Sequence, residues 1–144
     1  MDLRLNASHF LKFDQQLATG APFQSVLDTL HNPTAWKVRA DSTWSLRGWS
    51  ATAALNFVNS YSYGPGSVIQ GSIASWTTLD LGVRYAFDKS FANWLDGTSV
   101  SLTVTNALDR NPPYVNDQYL RLGYDAANAN PIGRVLSLLV NKRW

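Results

Sequence analysis

The fold is decided by two alternating stretches near the carboxy end, Thr98-Ser-Val-Ser-Leu-Thr-Val-Thr105 and Val135-Leu-Ser-Leu-Leu-Val-Asn-Lys142. In each stretch, every second residue is aliphatic, and in the first the residues between them are Ser or Thr. The aliphatic positions are Val100, Leu102, Val104, Leu136, Leu138 and Val140. A period of two places alternate residues on opposite faces of a β-sheet, so the sequence predicts two strands here.

The same period extends back to the start of the chain and predicts an all-β fold. We expect an antiparallel up-and-down meander of about six strands, at residues 2–15, 36–46, 49–61, 75–87, 98–105 and 135–141. Two positions do not fit this pattern. His9 interrupts the apolar face of the first strand, and Trp76 has the opposite parity to Tyr85, which predicts a local irregularity in the fourth strand.

The connections between these strands alternate between long and short. We place them at residues 17–35, 47–48, 62–74, 88–97 and 108–131, of which the second and fourth are the short ones. This alternation is typical of outer-membrane β-barrels, which have long external loops and short periplasmic turns. With that orientation, Trp36 and Tyr61 lie near the external membrane boundary. The periplasmic boundary then has Trp49, Tyr85, Phe87 and Trp144.

Composition fits a barrel wall and a soluble β-sandwich equally well. Charged residues are 15% of the chain, against a usual value of about 25%, and aromatic residues are 12%. No apolar run approaches the roughly 18 residues of a membrane helix. The chain has no cysteine, which excludes disulfides and Cys-ligated metal sites. Its basic residues do not cluster, which argues against a nucleic-acid partner.

The facing of the strands favours a membrane wall. The side predicted to face lipid contains no charged residue in its central part: Ala51, Ala53, Leu55, Phe57, Leu79, Leu81, Val83, Val100, Leu102, Val104, Leu136, Leu138 and Val140. Arg134 and Lys142 share this parity but lie at the ends of the last strand, where long side chains reach headgroups. Asp80 and Arg84 lie on the opposite side and require cross-strand partners, because four residues along a strand separate them by roughly 13 Å.

Four short motifs near the carboxy end are less general. Asn106-Ala-Leu-Asp-Arg-Asn-Pro-Pro-Tyr114 is followed by Tyr124-Asp125, by Asn130-Pro-Ile-Gly-Arg134 and by a terminal Lys142-Arg-Trp144. Their order and spacing resemble the carboxy end of TonB-dependent outer-membrane receptors, most sharply over residues 79–144. The resemblance implies that residues 1–144 are the carboxy-terminal segment of the receptor β-barrel, without the plug domain. Since no signal peptide is visible after Met1, we expect the chain to begin partway through a barrel.

The resemblance also implies a function and a set of partners. Such receptors reside in the bacterial outer membrane and take up siderophores, vitamins or carbohydrates with energy relayed by TonB through the plug. The implied partners are outer-membrane lipid, the barrel-assembly machinery, and the rest of the barrel and plug. The implied assembly signal is Gly133, Leu136, Leu138, Val140 and Trp144. The candidate ligand contacts in external loops are Phe23, Tyr63, Tyr114, Tyr119 and Tyr124.

No motif predicts an enzyme, a cofactor or a metal site. His9 and His31 are far apart in sequence and have no neighbouring acidic cluster, so we expect solvated or lining residues. The alternatives are a soluble β-sandwich that binds carbohydrate or another ligand, and a small complete barrel. A sandwich needs a second apolar layer, whereas the inner faces here are rich in Ser, Thr, Asn, Asp and Arg. A complete small barrel needs more than six strands.

Overall fold

A six-stranded antiparallel sheet dominates the structure, a computed structural model that describes residues 1–16, 18–64, 66–88, 91–117 and 120–143. Its strands are β1 (Asp2–His9), β4 (Trp36–Leu46), β5 (Trp49–Val58), β8 (Trp76–Ala86), β9 (Thr98–Thr105) and β10 (Val135–Lys142). Four short strands lie in the connections: β2 (Asp14–Gln16), β3 (Phe23–Ser25), β6 (Tyr61–Ser62) and β7 (Ser72–Ile73). One 3-10 turn spans Asn93–Leu95.

The six long strands pair in chain order, β1-β4-β5-β8-β9-β10, and every pair is antiparallel. The prediction of an antiparallel six-stranded meander is therefore confirmed. The sheet does not close on itself among the described residues, since β1 and β10 each pair with one neighbour only. Because direction reverses at each step, these two edge strands run in opposite directions.

The first strand is shorter than predicted. It ends at His9, whose ring stacks on Trp36 of the neighbouring strand with 4.0 Å between ring centroids. The chain then leaves the sheet, and residues 14–16 pair with residues 23–25 in a separate small hairpin. The apolar residues Leu11 and Phe13 continue the alternation past His9, but they lie between β1 and β2 and belong to neither strand, so the pattern does not mark the end of β1.

The irregularity predicted at Trp76 is also wrong. β5 and β8 pair without a break from Val58 opposite Trp76 to Trp49 opposite Tyr85. Trp76 therefore belongs to the same face as Thr78 and is partly buried there. An aromatic residue on the polar face, rather than a bulge, explains its parity.

The two faces of the sheet differ sharply in chemistry. One face is apolar, and register aligns its residues across strands, as in Ala53–Leu81–Val104–Leu136. Large side chains on this face are exposed: Leu3, Leu5, Leu55, Leu81, Val83, Leu102, Leu136, Leu138 and Val140. No second layer of the described chain covers them, and a β-sandwich would require one.

The buried apolar cluster of the described chain lies outside this sheet. It consists of Tyr61, Ile73 and Val115, with Leu30 and Tyr63 packed against it. These residues come from the three long connections, which leave the sheet at the same end. Tyr61, which the sequence places near the external membrane boundary, is 6% exposed within this cluster.

The opposite end of the sheet has the short connections. Arg47 and Gly48 form a two-residue turn, with φ of 46° and 84°. Positive φ at both central residues matches the twist of the flanking strands, which is why such turns are favoured in hairpins. A Cβ on Gly48 would lie 2.8 Å from the carbonyl oxygen of Ala86, so this position also needs glycine for space.

Candidate functional site

The three long connections, residues 10–35, 59–75 and 106–134, pack together into what we call the loop layer. Its centre is the apolar cluster around Ile73 and Val115. Because each connection contributes to that cluster, the loop layer is an ordered assembly that covers one end of the sheet. It is the place where the predicted ligand contacts should meet.

Asp28 joins the first two connections. Its Oδ1 accepts hydrogen bonds from the backbone N–H of Ala35 at 2.6 Å and from Nδ2 of Asn59 at 2.9 Å. Its carbonyl oxygen accepts from the N–H of Ser62 at 2.9 Å. Asp28 has φ of 56°, a conformation that Asp tolerates better than most residues. This one residue therefore fixes the relative position of two connections.

His31 joins the first connection to the third. Its Nε2 lies 3.1 Å from Oδ2 of Asp117, and its Nδ1 lies 3.5 Å from Oδ1 of Asp125. Both carboxylates are fully buried, while the His31 side chain is about one-third exposed. The expectation of a solvated or lining histidine is therefore wrong. The signal was missed because the two carboxylates are 86 and 94 positions away in sequence.

Asp125 accepts several hydrogen bonds within the described part of the loop layer. It accepts from the N–H of Ala127 at 3.0 Å and from Nδ2 of Asn128 at 2.8 Å. Burial, together with the nearby Asp125, raises the pKa of the Tyr61 phenol above its ordinary value. The Tyr61 phenol therefore lies beside this carboxylate in the loop layer.

The contacts around His31 join two connections of the loop layer. Both ring nitrogens face carboxylates, so neither is directed at a serine or threonine hydroxyl. Among the described residues, no group of three or more His, Cys, Asp or Glu side chains could hold a metal ion. The His31 cluster therefore ties loops together.

The predicted ligand contacts differ in exposure. Phe23 and Tyr114 are exposed, at 70% and 77%. Tyr63 is partly buried against the apolar cluster, and its hydroxyl accepts from the N–H of Asn116 at 3.0 Å. Tyr124 is half-buried, and Tyr119 lies outside the described residues. Within the described chain, Phe23 and Tyr114 are thus the members of this set whose rings remain most accessible.

The polar face of the sheet carries a hydrogen-bonded network. Nδ2 of Asn56 donates to Oδ2 of Asp80 at 3.0 Å, and Nη1 of Arg39 lies 3.4 Å from the same oxygen. Arg39 also donates to Oδ1 of Asn56. The other oxygen of Asp80 accepts from the N–H of Asn106 at 3.0 Å. Asp80 therefore has partners on neighbouring strands, as expected.

Arg84 likewise finds a partner on the next strand rather than on its own. Its Nη2 donates to the hydroxyl of Ser99 at 3.2 Å. Beside these networks lies an open depression of about 580 Å³, lined by Arg4, Arg39, Asp41, Thr43, Asp80, Thr103 and Thr105 among others. The polar face therefore offers both charges and hydroxyl groups to water or to a polar partner.

The predicted assembly signal maps onto the edge strand β10. Leu136, Leu138 and Val140 are on the apolar face and are 66%, 70% and 60% exposed. Gly133 precedes the strand, and a Cβ there would lie 3.0 Å from Oδ1 of Asp109. Trp144 lies outside the described residues. The apolar part of this signal is thus presented on an accessible strand.

The two basic residues at the ends of β10 have local partners. Arg134 Nη2 lies 3.6 Å from Oδ2 of Asp109. Lys142 Nζ donates to the carbonyl oxygens of Trp94 and Asp96 at 2.8 and 2.6 Å. Both basic side chains therefore have polar partners at the ends of the apolar face.

Comparisons with known proteins found no matching family model, no matching curated protein and no matching solved structure. Within the described residues, no helix has the length and apolar character needed to cross a bilayer.

Proposed function

We propose that this chain forms the carboxy-terminal part of the β-barrel wall of a TonB-dependent receptor in the bacterial outer membrane. Such a receptor takes up a siderophore, a vitamin or a carbohydrate. The main support is one observation: a six-stranded sheet with an exposed apolar face and a hydrogen-bonded polar face. Exposed apolar patches of this extent mark a membrane or a protein interface.

The strand lengths support a lipid environment. β4 and β8 have 11 residues and β5 has 10. A tilted strand needs about 9–11 residues to cross the hydrocarbon core. A Lys or Arg at mid-bilayer on such a face costs roughly 2–4 kcal/mol. The basic residues of β10 lie at its two ends, near the level where headgroups would be.

The open edges support a larger barrel. Lipid does not tolerate unpaired strand edges, so β1 and β10 must pair with further strands if the apolar face meets acyl chains. Transporters of this class have about 22 strands and a plugged lumen. In that setting the polar face, with Arg39, Asn56 and Asp80, faces the plug and water. The role of TonB rests on the sequence resemblance.

A pair of cysteine variants tests the membrane facing, since the chain has no cysteine of its own. Leu102→Cys and Thr103→Cys are neighbours on β9 with opposite facing. Each is labelled with a polarity-sensitive fluorophore, and the chain is refolded into phosphatidylcholine vesicles with nitroxide-labelled acyl chains. We expect blue-shifted, quenched emission at position 102 and unquenched emission at position 103. Equal quenching at both positions, or quenching at neither, would contradict the proposal.

A second test separates the receptor from other membrane proteins and from a soluble ligand-binding module. The DNA upstream of the Met1 codon is sequenced from the source. We expect an in-frame plug domain and further alternating strands. A promoter and a stop codon directly upstream, together with a monodisperse monomer that melts cooperatively without detergent, would instead favour the soluble module.

A further inference from the structure

The connection between β8 and β9, described at residues 87–88 and 91–97, exposes two large aromatic side chains. Phe91 is 63% exposed, and Trp94, within the 3-10 turn, is 77% exposed. A short turn in an aqueous compartment has no need of such residues. Their exposure therefore raises the question of what covers them.

Ring contacts place this connection on the apolar side of the sheet. Tyr85 has the apolar-face parity of Leu81 and Val83, and its ring centroid lies 4.7 Å from that of Trp49. Phe87 lies 4.7 Å from Tyr85, and Phe91 lies 5.2 Å from Phe87 and 6.5 Å from Tyr85. A continuous run of rings thus leads from the apolar face of β5 into the connection.

Lys142 of β10 contacts the same connection from the apolar side of the sheet. It has the apolar-face parity of Leu138 and Val140 in β10, and its ammonium donates to the carbonyl oxygens of Trp94 and Asp96. These bonds direct the backbone of the turn towards the apolar side. Two sets of contacts from different strands, the ring contacts of Tyr85 and the hydrogen bonds of Lys142, therefore agree on where the turn lies.

We propose that the β8–β9 connection lies in the interfacial region of a lipid bilayer, with Phe91 and Trp94 inserted at the level of the headgroups. This inference rests on the proposed function, since it requires lipid against the apolar face. The occupant is lipid because the exposed rings continue that face without a break. Aromatic rings beside a lysine also have the chemistry of a membrane boundary, where one end of a side chain is apolar and the other is wet. The turn is therefore an interfacial anchor.

The test follows the depth of Trp94 in the full chain. The protein is made with 5-fluorotryptophan and refolded into phosphatidylcholine vesicles that contain headgroup-spin-labelled phosphatidylcholine. The broadening of its ¹⁹F resonances by the spin-labelled lipid is then compared with their broadening by an aqueous gadolinium chelate added to vesicles without spin label. Trp94→Phe and Trp49→Phe assign the two resonances of interest by their loss. We expect the spin-labelled lipid to broaden the Trp94 resonance several-fold more than the aqueous reagent does.

The wall residue Trp49 separates the two proposals. If lipid broadens the Trp49 resonance but spares that of Trp94, the anchor is overturned and the membrane wall stands. If lipid broadens neither, both are overturned. If Trp94 is shielded from both reagents, a protein surface covers it and the anchor is again overturned.

A matched pair of variants tests the role of the ammonium. Lys142→Met removes both bonds to the turn, whereas Arg143→Met removes a neighbouring positive charge and leaves those bonds in place. We expect Lys142→Met to reduce the lipid broadening of Trp94 at least twofold and Arg143→Met to leave it unchanged. Equal effects would show that Lys142 does not position the turn.

Discussion

Introducing a charge at Leu81 tests the membrane wall energetically. Leu81 is the central residue of β8, pairs with Ala53 and Val104 on the apolar face, and is 41% exposed. If that exposed area meets acyl chains, Leu81→Arg costs about 2–4 kcal/mol. If it meets water, an arginine at a surface position changes stability by only about 0.5 kcal/mol. The two environments therefore predict clearly different results.

The measurement is equilibrium unfolding by urea of the full chain in phosphatidylcholine vesicles, followed by tryptophan fluorescence. With a urea dependence of about 2 kcal/mol per molar, Leu81→Arg should lower the midpoint by about 1–2 M. Thr103→Arg is the matched control, because Thr103 lies on the polar face one strand away. The lipid-facing assignment is refuted if both variants shift the midpoint equally or if neither shifts it.

Three further predictions concern the loop layer and the turns. Asp125→Ala removes a buried acceptor and should cost about 2–3 kcal/mol, seen as faster hydrogen exchange in the loop layer with the sheet unchanged. Because folding raises the pKa of the Tyr61 phenol, protonated Tyr61 contributes its full stabilisation below the unfolded pKa of about 10, and this stabilisation is lost as the pH rises above that value. Absorbance at 295 nm should show one phenol that titrates later than the others, and Tyr61→Phe should remove it. Gly48→Ala should cost about 1–3 kcal/mol from backbone strain plus its contact with Ala86, measured by urea midpoint, whereas Gly20→Ala, with the same φ of 84° but open space, should cost less.

Much of the sheet could be predicted from sequence because a period of two is a local signal. β4 occupies residues 36–46 as expected, and the facing of β5, β8, β9 and β10 follows the alternation. The end of β1 could not be predicted, because Leu11 and Phe13 continue the apolar alternation into residues 10–13, which belong to no strand. Its change of partner depends on the backbone bond from Phe10 to Ala35, which has no signature in the pattern.

The contacts that hold the loop layer together could not be predicted from the sequence. Its bonds join side chains such as His31 and Asp125 across nearly a hundred positions, and single polar residues in loops have no periodicity. Asp28 gave a weak signal, since Asp is one of the few residues that tolerates positive φ. The single strand predicted over residues 49–61 is wrong at its end, because β5 ends at Val58 and Tyr61 belongs to the short strand β6.

If the sheet is part of a barrel wall, as proposed, the opposite directions of β1 and β10 bear on how such a wall can change in evolution. Duplicating or deleting a two-stranded hairpin anywhere in this sheet would leave both outer strands pointing as before. Neighbouring segments would still dock in the antiparallel sense. A barrel assembled from units of this kind can therefore widen or narrow by hairpins without rebuilding its seams, whereas the gain of a single strand would force one parallel seam.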